Sequence, residues 1–291
     1  MSSITVNKKS ILYDYLRENL NESKNTIKGF LTKKMVKVNG KIVTKYDHVV
    51  NPKDVIEIGN NFIKNKMNEI DIVYEDDYLL AVNKPSNLLS IATLKEKEKT
   101  LYNMVSSYVK EGNKNNKIFI VNRLDKDTSG IVLFSKSEKI KKELQDDWNN
   151  KVIRKYYSVV HGKTDIDKKI ILKMKESNDG LTTYVDRSGD ETITIIKRIK
   201  CSNLYSYLDI EIKTGKKNQI RVALSHIGNP ILGDKKYGIK DECKRMMLHA
   251  YYLEFTHPVT NKKIILKINE PRLFKNIYKN IDKKVILWKK Y

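Results

Sequence analysis

The side chains best placed to do chemistry in this 291-residue chain fall in one stretch, Asn122-Arg123-Leu124-Asp125-Lys126-Asp127-Thr128-Ser129-Gly130. It runs straight into Ile131 to Phe134, an apolar run rich in β-branched and aromatic residues that reads as a buried strand. Gly130 supplies the positive φ that a sharp turn into the strand needs. Asp125 and Arg123 therefore sit on a loop at the mouth of a core strand, where a carboxylate can serve as a base or a nucleophile. The bland alternative is a salt-bridged structural turn. Asp125-x-Asp127-x-Ser129-Gly130 also opens like a calcium loop, but Lys136 stands where that loop needs a bidentate glutamate. Asp127 reads as a turn-capping acid. Thr128 and Ser129 read as turn formers, because no histidine base is placed for Ser129 in the sequence.

The remaining composition narrows the chemistry. The five histidines are scattered without an HExxH pair, and His226, His249 and His257 read as structural. No Walker loop and no GxGxxG occurs, so neither a nucleotide cofactor nor a metal is expected. Cys201 and Cys243 lack CxxC spacing, and the first residues form no apolar signal core. No run approaches the ~18 apolar residues of a membrane span. A reduced, cytoplasmic protein without membrane contact is expected, as a monomer. The formal charge of +22 calls for a polyanionic partner, and nucleic acid fits best. Part of that charge reflects a lysine- and asparagine-rich composition. Among 57 basic residues only eight are arginines, so Arg123, Arg154 and Arg221 stand out as places where a planar fork is needed. Taken alone, Tyr156 reads as core and Arg221 as a surface helix residue.

These residues must be held by a fold. Residues 1–60 are expected to form a small α/β unit. Ser10 would cap a helix with Ile11, Leu12, Tyr15, Leu16 and Leu20 on one face, and Ser23 a second with Ile27, Phe30 and Leu31 inward. Asn39-Gly40 between short apolar runs predicts a hairpin, and Val55 to Ile58 a last strand. Lys24, Lys28, Lys33 and Lys34 make the second helix basic. Residues 61–69 read as a polar linker. From residue 70 to 291 strands outnumber helices: Ile70–Tyr74, Tyr78–Val82, Arg154–Val160, Ile193–Ile199, Tyr205–Ile212, Met246–Phe255 and Ile264–Ile268. Pro85 should pull Asn83 and Lys84 out of the sheet. Helices are expected from Thr100, over Ser137 to about Asn149, and over Gln219–His226. Residues 163–192 read as polar hairpin material whose strands have no readable bounds. The class is α+β, with a large mixed, mainly antiparallel sheet and helices packed on it.

Several of these segments together are similar to a known family. Asn122 to Gly130 resembles the HRLDxxTSG motif of the RluA-type pseudouridine synthases, the large-subunit rRNA type. Val82-Asn83-Lys84-Pro85 with Asn87-Leu88-Leu89-Ser90 resembles VNKP and GLLS; Arg154-Lys155-Tyr156 with Val159 to Gly162 resembles R/KxY…VxG. Thr214 to Val222 resembles TGRxxQIRVH, and Gly228 to Asp234 resembles GHPIxGD. Leu248-His249-Ala250 and Phe255-Thr256-His257-Pro258 close the series, all in family order. Residues 10–60 resemble the S-four-type RNA-binding domain. The first resemblance implies conversion of uridine in RNA to pseudouridine without a cofactor. It also implies Asp125 as the catalytic carboxylate, Arg221 as its partner and Tyr156 on the uracil face. Ile220 becomes the opposite wall, and Arg123 the side chain that fills the space left by the extruded base. Ribosomal RNA is the implied substrate, with transfer RNA second. Asn122 and Asn218 replace histidines of the pattern and Asn87 a glycine. Two other functions fit the residues less well: a non-catalytic ribosome-assembly protein on the same fold, and an aspartate-dependent hydrolase of RNA or nucleosides.

Overall fold

The computed structural model describes residues 2–20, 22–32, 35–59, 70–94, 96–146, 148–164 and 167–280. Lys33, Lys34 and the predicted linker lie outside them. The chain divides into two compact units, Met1–Glu69 and Ile70–Tyr291. The first contains β1 (Ser2–Thr5), β2 (Ser10–Ile11), α1 (Leu12–Asn19), α2 (Lys24–Thr32), β3 (Val36–Val38), β4 (Lys41–Ile42), β5 (Val49–Val50) and β6 (Val55–Ile58). Four strands form a sheet in the order β1-β6-β3-β4, and β2 pairs β5 separately. Leu12, Tyr15 and Leu16 of α1 and Ile27 and Leu31 of α2 bury against Val36, Val50 and Ile56.

Local chemistry explains the turns of this unit. Ser23 Oγ accepts the Thr26 N–H at 3.2 Å and starts α2. Asn39 and Gly40 both take positive φ, 50° and 75°, as a tight hairpin requires. Two expectations fail here. Ser10 does not cap α1 but pairs with Val50 in β2, and the helix begins after Ile11 with no side-chain cap. Ile11 is consequently 42% exposed instead of facing the core. The strand β1 has no sequence signature because Ser2-Ser3-Ile4-Thr5 holds a single apolar residue; its pairing with β6 is a tertiary choice.

The second unit contains β7 (Ile72–Glu75), β8 (Leu79–Lys84), α3 (Leu101–Gly112), β9 (Phe119–Ile120), β10 (Ser129–Ser135), α4 (Glu138–Asp146), α5 (Trp148–Lys151), β11 (Ile153–His161) and β12 (Asp167–Glu176). It continues with β13 (Thr183–Val185), β14 (Asp190–Cys201), β15 (Tyr205–Ile212), α6 (Gln219–His226), β16 (Leu248–Thr256), β17 (Lys263–Lys267) and α7 (Arg272–Asn280). One sheet of eleven strands runs β13-β12-β14-β15-β11-β16-β10-β8-β7, with β17 beside β16 and β9 beside β10. Every pairing is antiparallel except β10 with β16, so the sheet is mixed and mainly antiparallel as the sequence predicts.

The parallel pairing is the crossing that matters for function. Ser129 lies opposite His249 and Gly130 opposite Ala250. Gly130 has φ +124°, and a Cβ there would lie 2.1 Å from the Ala250 carbonyl oxygen. Only glycine allows the two strands to meet so closely. β8 runs through Asn83 and Lys84, opposite Ile131 and Gly130, so proline ends the strand only at Pro85. β12 is the largest element that the sequence does not announce. Its Lys-rich stretch, Asp167 to Glu176, buries only Ile170 and Met174, too weak a pattern to mark a strand. The closing helix α7 is a further addition; it buries Phe274 and Ile277 in the main core.

Candidate active site

The loop carrying Asp125 is held from both sides by the segment after β8. Ser90 Oγ donates to the Leu124 carbonyl at 2.7 Å and accepts the Leu124 N–H at 3.1 Å. On the other side, the Lys126 carbonyl accepts from Leu88 N at 3.1 Å and from Lys84 Nζ at 3.0 Å. Lys84 also donates to Pro85 and Leu88 carbonyls at 3.0 and 2.7 Å. Burial draws its ammonium down to about 7, while three carbonyl acceptors each require one of its three protons. Asn87 turns this segment at φ 64°, a conformation asparagine tolerates. Thus the two predicted motifs are one structure: the first clamps the second on each side of Asp125.

α6 brings the partner. Arg221 Nη1 donates to Asp125 Oδ2 at 3.2 Å, with side-chain exposures of 9% and 31%. The guanidinium is also fixed from behind. Nε and Nη2 each donate to Asp234 at 2.8 Å, a bidentate pair. Nη1 donates to Asn218 Oδ1 at 2.9 Å. Burial opposes the charge on Arg221, but the two carboxylates hold it far above the ordinary arginine range. Burial likewise opposes ionisation of Asp234; the Arg221 bonds and charge, with the Lys236 and Tyr237 N–H groups, hold it below the usual carboxylate range. Arg221 is therefore a buried helix residue and not the surface one that it resembles in isolation. Asp234 ends the Gly228–Asp234 motif, but nothing in the sequence joins it to Arg221, thirteen residues before it.

The neighbouring residues explain why α6 starts where it does. Gln219 Oε1 accepts from Thr214 Oγ1 and the Lys216 N–H, while its Nε2 donates to the Ile193 carbonyl and Thr194 Oγ1. This bracket ties the helix start to β14. Arg154 lies under the turn: its Nη2 donates to the Lys213 carbonyl at 3.1 Å, and a Cβ on Gly215 would come within 2.9 Å of its Nη1. Tyr156 on β11 and Ile220 on α6 are buried in one cluster with Leu124. Burial pushes the Tyr156 phenol up to about 12, with Asp125 adding in the same direction and Arg154 opposing.

Arg123 is exposed and has no bond partner among the described residues. Lys24 and Lys28 are exposed on α2 in the first unit. Asn122 turns its side chain inward, where Oδ1 accepts the Leu133 N–H at 2.8 Å and extends the ladder between β9 and β10. Asp127 makes no side-chain cap among the described residues; the turn closes instead through the Thr128 N–H and the Asp125 carbonyl at 3.2 Å. Ser129 does meet a histidine, contrary to expectation: its Oγ is 2.8 Å from His249 Nδ1. His249 Nε2 faces the Asn269 carbonyl, so Nδ1 is the acceptor and the serine proton is spent on it. Arg245 Nη2 donates to the same Oγ at 2.7 Å, and both Ser129 and His249 are buried, so no substrate reaches this pair. Burial draws His249 down to about 4 and keeps it neutral. Among the described residues no helix is long and apolar enough to cross a membrane.

This arrangement offers one partly exposed carboxylate aimed by one buried guanidinium beside an aromatic face. Residues 78–226 match the RNA pseudouridylate synthase family. Over 222 residues the chain is 32% identical to tRNA pseudouridine synthase C of Haemophilus ducreyi, covering 68% of this chain and 90% of that one. It is 33% identical over 224 residues to ribosomal large subunit pseudouridine synthase C of Buchnera aphidicola, covering 72% and 70%. Human RNA Pseudouridylate Synthase Domain Containing 4 shares the fold at 20% identity, with a TM-score of 0.61 over 72% of this chain and 92% of that one. On these grounds the chain belongs to the RNA pseudouridylate synthase family and is an isomerase of uridine in RNA.

Proposed function

We propose that Asp125 carries the isomerisation. The reaction detaches uracil from its ribose, turns it and rejoins it through a ring carbon, so no electrons or groups enter or leave. A single carboxylate beside the anomeric carbon suffices. It either attacks that carbon or takes the proton from the neighbouring sugar carbon, and both routes need it ionised. The observation that carries this reading is the Arg221–Asp125 bond, 3.2 Å long and backed by the buried Asp234. A guanidinium held that firmly aims a carboxylate without competing for the role of nucleophile.

The other residues take supporting roles. Tyr156 stacks on the uracil face, an interaction worth ~1–3 kcal/mol per base. Ile220, from the same buried cluster, closes the opposite side. The target base must leave its stack, and the exposed Arg123 fills the space it vacates. Residues 1–60 act as an S-four-type RNA-binding module that uses Lys24, Lys28 and the neighbouring Lys33 and Lys34 on phosphates. The substrate is large-subunit ribosomal RNA, in line with the Buchnera relative; transfer RNA is the second reading, supported by the Haemophilus one. Incubating the purified protein with transcripts of each RNA and mapping pseudouridine separates them. Product in 23S-type RNA alone is expected. Product in transfer RNA alone overturns the choice of substrate, and product in neither overturns the function.

A further inference from the structure

Tyr237 lies three residues beyond Asp234 and has no part in the chemistry above, yet it touches every group that surrounds Arg221 from behind. Its ring lies 4.9 Å from the Arg221 guanidinium carbon, close enough to cover one face of the cation. Its backbone N–H donates to Asp234 Oδ1 at 3.1 Å. Its hydroxyl oxygen accepts from Asn218 Nδ2 at 3.0 Å and from the Thr183 N–H of β13 at 2.8 Å. Two donors thus fix that oxygen from separate elements.

Asn218 completes the network. It occupies the position before α6 at φ 54°, where an asparagine would ordinarily cap the helix, but its side chain makes no cap. Its amide is spent elsewhere: Oδ1 on Arg221 Nη1 and Nδ2 on Tyr237. The reverse orientation would set two donors against each other at Nη1. Nη1 carries two protons in the guanidinium plane, one directed at Asn218 and one at Asp125. Fixing the first fixes the direction of the second.

We propose that Tyr237, through Asn218, is a positioning residue that sets the angle at which Arg221 meets Asp125. The proposal rests on the roles given to Asp125 and Arg221 above. Tyr237→Phe keeps the ring and removes only the hydroxyl. Its single-turnover rate on an RNA transcript that the full-length protein modifies should fall about tenfold, with RNA affinity within about twofold. Asn218→Ala should behave alike. The double variant should be no slower than Asn218→Ala alone, because that change already removes the side chain through which Tyr237 acts on Arg221. A full-rate Tyr237→Phe, a parallel loss of RNA affinity, or losses that multiply in the double variant would each overturn the proposal. Asp125→Asn in the same assay separates the two levels. If it is active, the underlying assignment fails together with this one. If it is inactive beside a full-rate Tyr237→Phe, only the positioning role fails.

Discussion

Asp234 shows what a buried carboxylate does for a partly exposed one. It spends both oxygens on Arg221 and is almost wholly excluded from solvent. Replacing it with asparagine leaves the cation one acceptor short in a buried place, which costs about 3–5 kcal/mol when a buried pair is broken. Asp234→Asn should therefore lower the melting temperature and slow catalysis at least about tenfold while RNA binding persists, as unfolding and single-turnover assays will report. The pH dependence follows from the direction of its shift. Because folding lowers the Asp234 carboxyl below its ordinary 3.8, its contribution is present above that value and is lost as pH falls through the lower folded value. The asparagine variant should lack that acid-side loss. At this scale the sequence nominates Asp125, Tyr156 and Arg221 through motifs that resemble the family's, and the fold brings Arg221 to Asp125. Asp234 and Tyr237 act on Arg221 across a loop, so only the folded chain connects them. Asn122 and Asn218, both departures from the family pattern, have opposite fates. The first is a strand tie turned into the sheet, and the second is part of the arginine's support.

The element scale turns on the crossing of β10 and β16. Where Gly130 passes Ala250 the sheet changes from antiparallel to parallel, and the loop with Asp125 leaves from that point. Gly130→Ala would combine an unfavourable φ with a Cβ driven into backbone. The expected cost is at least about 3 kcal/mol, seen as lower thermal stability or loss of soluble protein; near-wild-type stability would show that the crossing relaxes freely. A continuous apolar run makes β10 readable and alternation makes β15 readable, with Tyr205–Ile212 and Gln219–His226 matching their predicted bounds. β12 is not readable because a strand near the sheet margin can expose most of its positions and still pair with β14. The N-terminal helix α1 is readable by its apolar face, but its start is set by the β2–β5 pairing and not by a capping serine.

Across the whole molecule, a charge of +22 accompanies an RNA-modifying family, and the two units divide the work in the proposed account. A chain beginning at Ile70 should keep the eleven-stranded sheet and its site. It should bind RNA more weakly, and its salt slope should be shallower by about one for each phosphate that the first unit neutralises. An unchanged slope in a binding titration would show that the first unit neutralises none. Residues 61–69 read as a linker from their polar composition, and the chain divides into compact units after Glu69; the choice of substrate RNA has no such mark in the sequence. The central claim is that one carboxylate carries the reaction. It is tested most directly by measuring pseudouridine formation and RNA binding of Asp125→Asn together. The account predicts that product formation falls by at least about a thousandfold while RNA affinity stays within about threefold. Product at a rate comparable to the wild-type protein would contradict it.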